Sequence, residues 1–196
     1  MTEVSTPPVT SVPASDRERA IAVIVLAFSR DPMARWSYPD PHLYLAHFPN
    51  VVRAMGGQGF VHGSADHIDG CTGVALWLPP GVAPDHAALA GTMAGVPERL
   101  HAEVSAVVEQ MAQFHPAEPH WFLPLIGVDP TCQHRGYGSA LLRHALRRCD
   151  EDHVPAYLES SNPANIPLYQ RHGFDVLGTI QAGSSPPMTA MLRKAR

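Results

Sequence analysis

Lysine is nearly absent from this chain of 196 residues: Lys194 is the only one, and the formal net charge is -4. A protein that binds nucleic acid through a broad basic surface needs clustered lysine and arginine, so this composition does not favour such a partner. No apolar run approaches the roughly 18 residues that cross a bilayer, and no secretory signal pattern is found at the start. We therefore expect a small-molecule ligand, no nucleic acid and no membrane.

Cysteine is also scarce. Cys71, Cys132 and Cys149 are an odd number without C-x-x-C spacing, which argues against both a disulfide framework and a zinc ribbon. This usage predicts a protein of the reducing cytoplasm. Two histidines and two aspartates cluster between His62 and Asp69, but their spacings match no zinc or calcium template, so we expect no metal.

The length and the 45% share of hydrophobic residues predict one domain with a substantial core. We expect a flexible tail over residues 1–14 and a single domain over 15–196. Ser15 to Glu18 form a capping-box pattern, which predicts a helix that ends at Asp31-Pro32.

Apolar periodicity predicts the other elements. A second helix is expected over 41–55, with Leu45, Phe48, Val52 and Met55 buried, and a third over about 100–111. Short apolar runs at 59–62 and 73–78 predict an antiparallel hairpin. Strands at 120–128 and 155–160, joined through a helix, predict a parallel pair with a right-handed crossover. The fold class is therefore α/β, with a mixed sheet.

A glycine turn between an apolar strand and an amphipathic helix is the most informative stretch, at residues 126–141. Gly136 and Gly138 permit backbone conformations that let an anion approach, and the helix start supplies free N–H groups. The dinucleotide-binding motif G-x-G-x-x-G is excluded because Leu141 stands where the motif needs a third small residue. The P-loop motif is excluded because no lysine directly follows Gly138. No G-x-S-x-G motif of a serine hydrolase is present.

The segment Gln133-His134-Arg135-Gly136-Tyr137-Gly138 instead follows the pattern Q/R-x-x-G-x-G/A. It resembles the coenzyme A pyrophosphate loop of the GNAT superfamily of N-acetyltransferases. Residues 155–174 resemble the next strand, loop and Leu-Tyr-x-x-x-Gly-Phe helix of that superfamily. Within it, the closest resemblance is to the puromycin N-acetyltransferase type, over about residues 119–193.

The resemblance implies a mostly antiparallel sheet with a splayed parallel strand pair, helices on both faces, and acetyl-CoA as cosubstrate. Residues 15–196 would then be one acyl-CoA N-acyltransferase domain. The residues expected to bind the coenzyme are Ile126, Gly127, Val128, Gln133, His134, Arg135, Gly136, Tyr137, Gly138, Ser139, Asn165 and Tyr169. For three side chains a second interpretation stays open: Gln133 could cap the turn, Arg135 could be solvated, and Asn165 could serve the turn itself.

Two side chains are candidates for proton transfer. Tyr169 matches the tyrosine that protonates the departing thiolate in similar proteins. An aromatic residue three positions after Ile166 on a helix could also be a packing residue. Glu159, at the end of a strand, could draw a proton from the incoming ammonium, or it could instead bind the substrate or cap a helix. We expect acetyl transfer to a primary amine of a small molecule by direct attack in a ternary complex.

The alternatives are a non-catalytic acyl-CoA-binding or sensing module, and an acetyltransferase of protein amino termini or lysines. The aromatic segment Trp36-Ser37-Tyr38 favours an enclosed, small acceptor. Dimers are common among similar proteins, so a homodimer is a possible assembly.

Overall fold

A seven-stranded mixed sheet organises the computed structural model, which describes residues 7–196. The strands are β1 (Val9–Ser11), β2 (Ala65–Ile68), β3 (Gly73–Leu78), β4 (Trp121–Val128), β5 (Ala156–Ser160), β6 (Asp175–Ile180) and β7 (Met188–Arg193). Their spatial order is β1-β2-β3-β4-β5-β7-β6. The β4–β5 pair is parallel and the other neighbouring pairs are antiparallel, which confirms the expected sheet.

Helices cover both faces of the sheet, also as expected. They are α1 (Arg17–Ala27), α2 (Pro32–Ser37), α3 (Pro41–Gly56), α4 (Gln58–Val61), α5 (His86–Thr92), α6 (His101–Phe114), α7 (Tyr137–Glu151) and α8 (Ile166–Arg171). Strand β3 is buried along its whole length because both of its faces are covered. Ala75 and Trp77 pack against the core under α7, and Val74 and Leu76 pack against the core under α1 and α3.

Strand β1 corrects the expected tail over residues 1–14. Val9 pairs with Ile68 and Ser11 with Asp66, so this segment extends the sheet beyond β2. Its three residues, between Pro8 and Pro13, are too few to show a periodic pattern, and the partner strand supplies the hydrogen bonds that fix it. The part of the expected tail at residues 1–6 lies outside the described residues.

The first two helices differ in detail from the expectation. Ser15, the expected cap, lies inside a short 3-10 helix, and no side-chain hydrogen bond caps the start of α1, so the capping-box prediction was wrong. In α3, Phe48 and Val52 are buried as expected, whereas Leu45 is 64% exposed and Tyr44 is buried instead.

The expected hairpin was half right. Residues 58–61 form helix α4, and the partner of β3 is β2 at residues 65–68. Composition obscured this strand because it contains Asp66 and His67. Asp66 is completely buried, and its carboxylate accepts a hydrogen bond from Arg148 of α7 at 2.5 Å. An ion pair across the sheet face thus allows a charged residue in a buried strand.

A β-bulge in β4 lies next to the point where the sheet opens between β4 and β5. Leu76 pairs with Leu125 and Leu78 with Phe122, so β4 uses one residue more than β3 over this step. Pro124, which has no backbone N–H to donate, lies within the extra length. The parallel pairing of β4 with β5 ends at Leu123 and Leu158, although both strands continue. The strands therefore splay apart beyond this point.

Candidate active site

A cavity of about 960 Å³ lies where β4 and β5 separate. One wall is the open edge of β4 from Ile126 to Val128, and a second is the glycine turn before α7. The end of β5 and helix α8 form the opposite side, and the segment after α1 closes one end. Every residue expected to bind the coenzyme or to transfer a proton lines this cavity except Arg135, whereas the aromatic segment 36–38 does not line it.

The glycine turn presents a helix start to the cavity. Gly136 has a φ of 82° and immediately precedes α7, so the first N–H groups of that helix have no partner within it. A side chain at Gly136 would meet no atom within 4 Å, which leaves the approach to these groups open. His134 also has a positive φ, of 62°, which tightens the turn. Exposed N–H groups and the positive end of the helix dipole make this an anion-binding geometry.

The side chains of the turn have distinct positions. The Gln133 amide lies 3.5 Å from the Val128 carbonyl oxygen, so it reaches back to the end of β4. The Tyr137 ring is buried, and its hydroxyl donates to Asp69 at 2.8 Å, outside the anion path. The hydrogen bond to Asp69 raises the pKa of the Tyr137 phenol. The Arg135 side chain lies beside the same phenol and partly offsets this effect. Arg135 can thus offer its backbone N–H to an anion in the turn, while its side chain lies beside the Tyr137 hydroxyl.

Tyr169 projects from the short helix α8 into the cavity. The residue is 5% exposed, and its ring packs edge-on against Phe174 with the centroids 6.1 Å apart. Burial, and to a smaller extent the charge of Asp31, raises the pKa of the Tyr169 phenol. The phenol is therefore fully protonated near neutral pH and available as a hydrogen-bond donor.

Glu159 lies next to the C-terminal end of β5, and its side chain is on the same face of the strand as that of Tyr157. The Tyr157 hydroxyl donates to Glu159 Oε1 at 2.9 Å. Burial raises the pKa of the Glu159 carboxyl to about 7, and the hydrogen bond from Tyr157 works in the opposite direction. A carboxyl that titrates near neutrality can accept a proton and release it again.

The loop between β5 and α8 holds two asparagines with different tasks. Asn162 Oδ1 accepts from the Ala164 N–H at 3.0 Å, so Asn162 supplies the turn chemistry. The side chain of Asn165 makes no such hydrogen bond to the described residues, and Asn165 lines the cavity. The arrangement leaves the Asn165 amide available to a ligand.

Sequence reasoning missed Asp31 and Ser161 as residues of this cavity. Asp31 caps α2 by accepting from the Ala34 N–H at 3.0 Å, and its second oxygen accepts from the Ser161 hydroxyl at 2.6 Å. Burial raises the pKa of this carboxyl, whereas both hydrogen bonds lower it. The Asp31-Pro32 pair signalled only a helix boundary, because the two residues that meet are 130 positions apart.

The described residues contain no group of three or more histidine, cysteine or acidic side chains placed to hold a metal ion. Asp66 and His67, expected in a turn, lie in β2, where Asp66 pairs with Arg148 and His67 Nε2 lies 3.1 Å from Thr10 Oγ1. Within residues 7–196, no helix is both long and apolar enough to span a membrane.

Comparison with known proteins gives consistent results. The model of the acetyltransferase (GNAT) family matches residues 34–174. An uncharacterised N-acetyltransferase of Schizosaccharomyces pombe is 25% identical over a 190-residue alignment that covers 83% of this chain and 72% of that protein.

Two solved structures illustrate the similarity in fold. The structure of histone acetyltransferase HPA2 and related acetyltransferase from Corynebacterium glutamicum is 27% identical, has a TM-score of 0.73 and covers 98% of each chain. The polyamine N-acetyltransferase of Drosophila melanogaster is 16% identical and shares the fold, with a TM-score of 0.63 over 95% of this chain and 98% of that one.

Proposed function

The chain belongs to the acetyltransferase (GNAT) family, and from this we propose that it transfers the acetyl group of acetyl-CoA to a primary amine of a small molecule. Transfer takes place by direct attack of the amine in a ternary complex. The observation that carries the proposal is the shared cavity: the anion-binding turn, the open edge of β4, Glu159 and Tyr169 all border one space.

The two ends of the cavity suit the two ends of the coenzyme. Its pyrophosphate would lie against the N–H groups from Arg135 to Ser139, where the α7 dipole favours negative charge. The pantetheine amides would pair with Ile126 to Val128, because β5 no longer pairs with β4 there. Gln133, His134 and Asn165 line the path between these contacts. Acetyl-CoA is a substrate of the reaction and supplies the acetyl group as a thioester.

Two proton transfers follow from the side chains at the reacting end. An alkylamine with a pKa near 10 arrives mostly protonated, and Glu159 takes the proton directly or through water. The amine nitrogen then attacks the thioester carbonyl, whose oxygen accepts from the Val128 N–H. When the carbon–sulfur bond breaks, Tyr169 gives its proton to the departing thiolate. The nitrogen, which still carries one surplus proton after its attack, passes that proton through water to the Tyr169 phenolate, and Glu159 returns the first proton to solvent.

Glu159 suits the role of base better than Asp31 does. Both oxygens of Asp31 are engaged, one by the Ala34 N–H and one by Ser161. Glu159 Oε2 has no hydrogen bond to the described part of the chain, so one oxygen faces the cavity unengaged. Asp31 contributes negative charge at the same end, where Arg30 also lies.

Several observations support a small acceptor. The acceptor end is lined by Phe28, Arg30 and Asp31, which follow α1. The aromatic segment expected to enclose the acceptor does not border the cavity, because Trp36 donates from its indole to Ser184 at 3.1 Å and Tyr38 is buried. The Drosophila relative by fold forms N-acetylagmatine, a product of a small cationic amine. Aminonucleosides stay in the proposal because of the resemblance to the puromycin N-acetyltransferase type.

Further parts of the proposal concern organisation. The sheet and its helices form one catalytic domain, which begins at β1 and so earlier than residue 15. Cys71, Cys132 and Cys149 are all free thiols, in keeping with a cytoplasmic location. A homodimer remains the proposed assembly, and sedimentation equilibrium would test it.

Calorimetric titration of the protein with acetyl-CoA tests the proposal first. We expect micromolar binding, and then thiol release when agmatine, polyamines, arylalkylamines and aminonucleosides are added as acceptors. Binding without release for every amine, together with release on a peptide amino terminus or lysine, would favour a protein acetyltransferase. Binding without turnover on amines or peptides would favour the acyl-CoA-sensing module, and no binding by folded protein would refute both.

A further inference from the structure

Three side chains from different elements meet beside the anion-binding turn. Ser139 lies in the first turn of α7, and its Oγ is 2.7 Å from Nε2 of His172, which follows α8. Arg143, one helical turn further along α7, donates to the same oxygen at 3.1 Å. Ser139 lines the cavity, whereas His172 and Arg143 stand behind it. The hydroxyl thus connects the cavity with two titratable or charged groups.

The direction of the hydrogen bond between Ser139 and His172 depends on whether Nε2 carries a proton, and so on both the tautomer and the protonation state of the imidazole. An arginine can only donate, so Ser139 Oγ accepts from Arg143 in every state. The single proton of the hydroxyl can then go either to His172 Nε2 or into the cavity. When His172 is an imidazolium, Nε2 is a donor, and the Ser139 proton is released for an acceptor in the cavity.

The charges around His172 are predominantly positive. Arg143 on α7, Arg171 on α8 and Arg193 on β7 act on it, and with burial, the largest effect, they lower the pKa of its imidazole. Arg193 is engaged with Asp150 at 2.7 Å, but Arg143 and Arg171 make no ion pair with the described residues. The Arg196 guanidinium lies against Gly173, the residue that follows His172. A polyanion in the cavity would offset this excess and favour the imidazolium.

We propose that His172 is a positioning residue that couples coenzyme binding to the uptake of a proton. The protonated imidazole and Arg143 both donate to Ser139 Oγ, which turns the Ser139 hydroxyl towards a phosphate oxygen in the anion-binding turn. The inference rests on the proposed function, because it takes the anion to be the pyrophosphate of the coenzyme. Coenzyme affinity should then fall as pH rises through the range in which His172 loses its proton, by at most about tenfold per pH unit for one proton.

Calorimetry in buffers of different ionisation enthalpy measures the protons taken up on binding. The ligand should be dephospho-coenzyme A, because the 3′-phosphate monoester of coenzyme A itself titrates near pH 6. Between pH 6 and 8 we expect an uptake of part of one proton by the wild-type protein and none by His172→Gln, whose amide is uncharged. Ser139→Ala should weaken binding on the order of tenfold, the size of a hydrogen bond to a charged group.

His134→Asn is the matched control, because His134 is the other imidazole of the anion-binding turn and its positive φ tolerates asparagine. It should keep the proton uptake, whatever its affinity. Uptake that persists in His172→Gln, or is absent from the wild-type protein, would overturn the inference while coenzyme binding itself upheld the proposed function. Failure of the folded wild-type protein to bind coenzyme at all would overturn both.

Discussion

The Tyr157 phenol and the Glu159 carboxylate, two residues apart on β5, are joined by a hydrogen bond of 2.9 Å that opposes the effect of burial on Glu159. Tyr157 is completely buried, with its ring against Phe122 and His115. The phenol therefore cannot turn away without disturbing the core. Because this bond stabilises the carboxylate, it keeps the pKa of Glu159 at about 7 and no higher.

The activity should follow the ionisation of Glu159. With a pKa of about 7, the carboxyl is protonated at acid pH and cannot act as a base, so kcat/KM should rise through neutrality to a plateau. Tyr157→Phe removes the hydrogen bond that lowers this pKa and should move the rising limb to higher pH. Tyr44→Phe is the control: it removes a buried hydroxyl that donates to the Val25 carbonyl, neither residue lines the cavity, and it should leave the midpoint in place. The same midpoint in all three proteins would exclude Glu159 as the base.

Tyr169→Phe should separate binding from turnover. The ring would still pack against Phe174, so the fold and most coenzyme affinity are retained. Loss of the proton donor should lower kcat on the order of 10²- to 10⁴-fold, the usual size of a general acid effect. Stopped-flow measurement of thiol release checks this. Turnover within threefold of the parent, a factor well below that range, would show that Tyr169 is only a packing residue.

Gly136→Val should abolish coenzyme binding. The φ of 82° is costly for a β-branched residue, and relaxation of the turn would misdirect the N–H groups at the start of α7. Gly138→Ala is the comparison for stability, because its added methyl would meet only Leu168 Cδ2 at 3.5 Å, an ordinary contact. We expect urea unfolding to show a loss of about 1–2 kcal/mol or more for Gly136→Val and little change for Gly138→Ala. Unchanged coenzyme affinity in folded Gly136→Val would contradict the anion-binding role of the turn.

Removal of one partner from the buried ion pair between Asp66 and Arg148 should be strongly destabilising. Arg148→Met leaves the Asp66 carboxylate buried without its partner, which costs about 3–5 kcal/mol of unfolding free energy. The exposed pair of Arg53 and Glu18, at 2.6 Å, is the control, and Arg53→Met should cost about 1 kcal/mol or less. Equal effects of the two substitutions in urea unfolding would show that burial does not govern the contribution of the Asp66 pair.

The sequence alone determined the anion-binding turn and its position in the fold. Glycine spacing, a preceding apolar strand and a following amphipathic helix are local features, so they can be recognised from neighbouring residues. For the same reason the parallel order of β4 and β5 and the helices at α3, α6 and α7 were predictable, whereas Tyr169 and Glu159 were singled out through the resemblance to the GNAT superfamily. The strands β1 and β2 were not predictable, because they are defined by pairing with a neighbouring strand. Strand β1 is too short to show an apolar pattern, and the charged Asp66 interrupts the pattern of β2.

Only the tertiary structure decided how these parts meet. The pairing of β4 with β5 stops next to the bulge at Pro124, and the cavity lies beyond that point, although a proline in a strand signals merely an irregularity. The contact of Asp31 with Ser161 and that of Ser139 with His172 join residues far apart in the chain, and no local rule relates them. The tuning of Glu159 likewise depends on burial, which the chain acquires when helices close over both faces of the sheet. Local sequence specifies the elements and their chemistry, while long-range packing fixes distances, desolvation and therefore proton affinity.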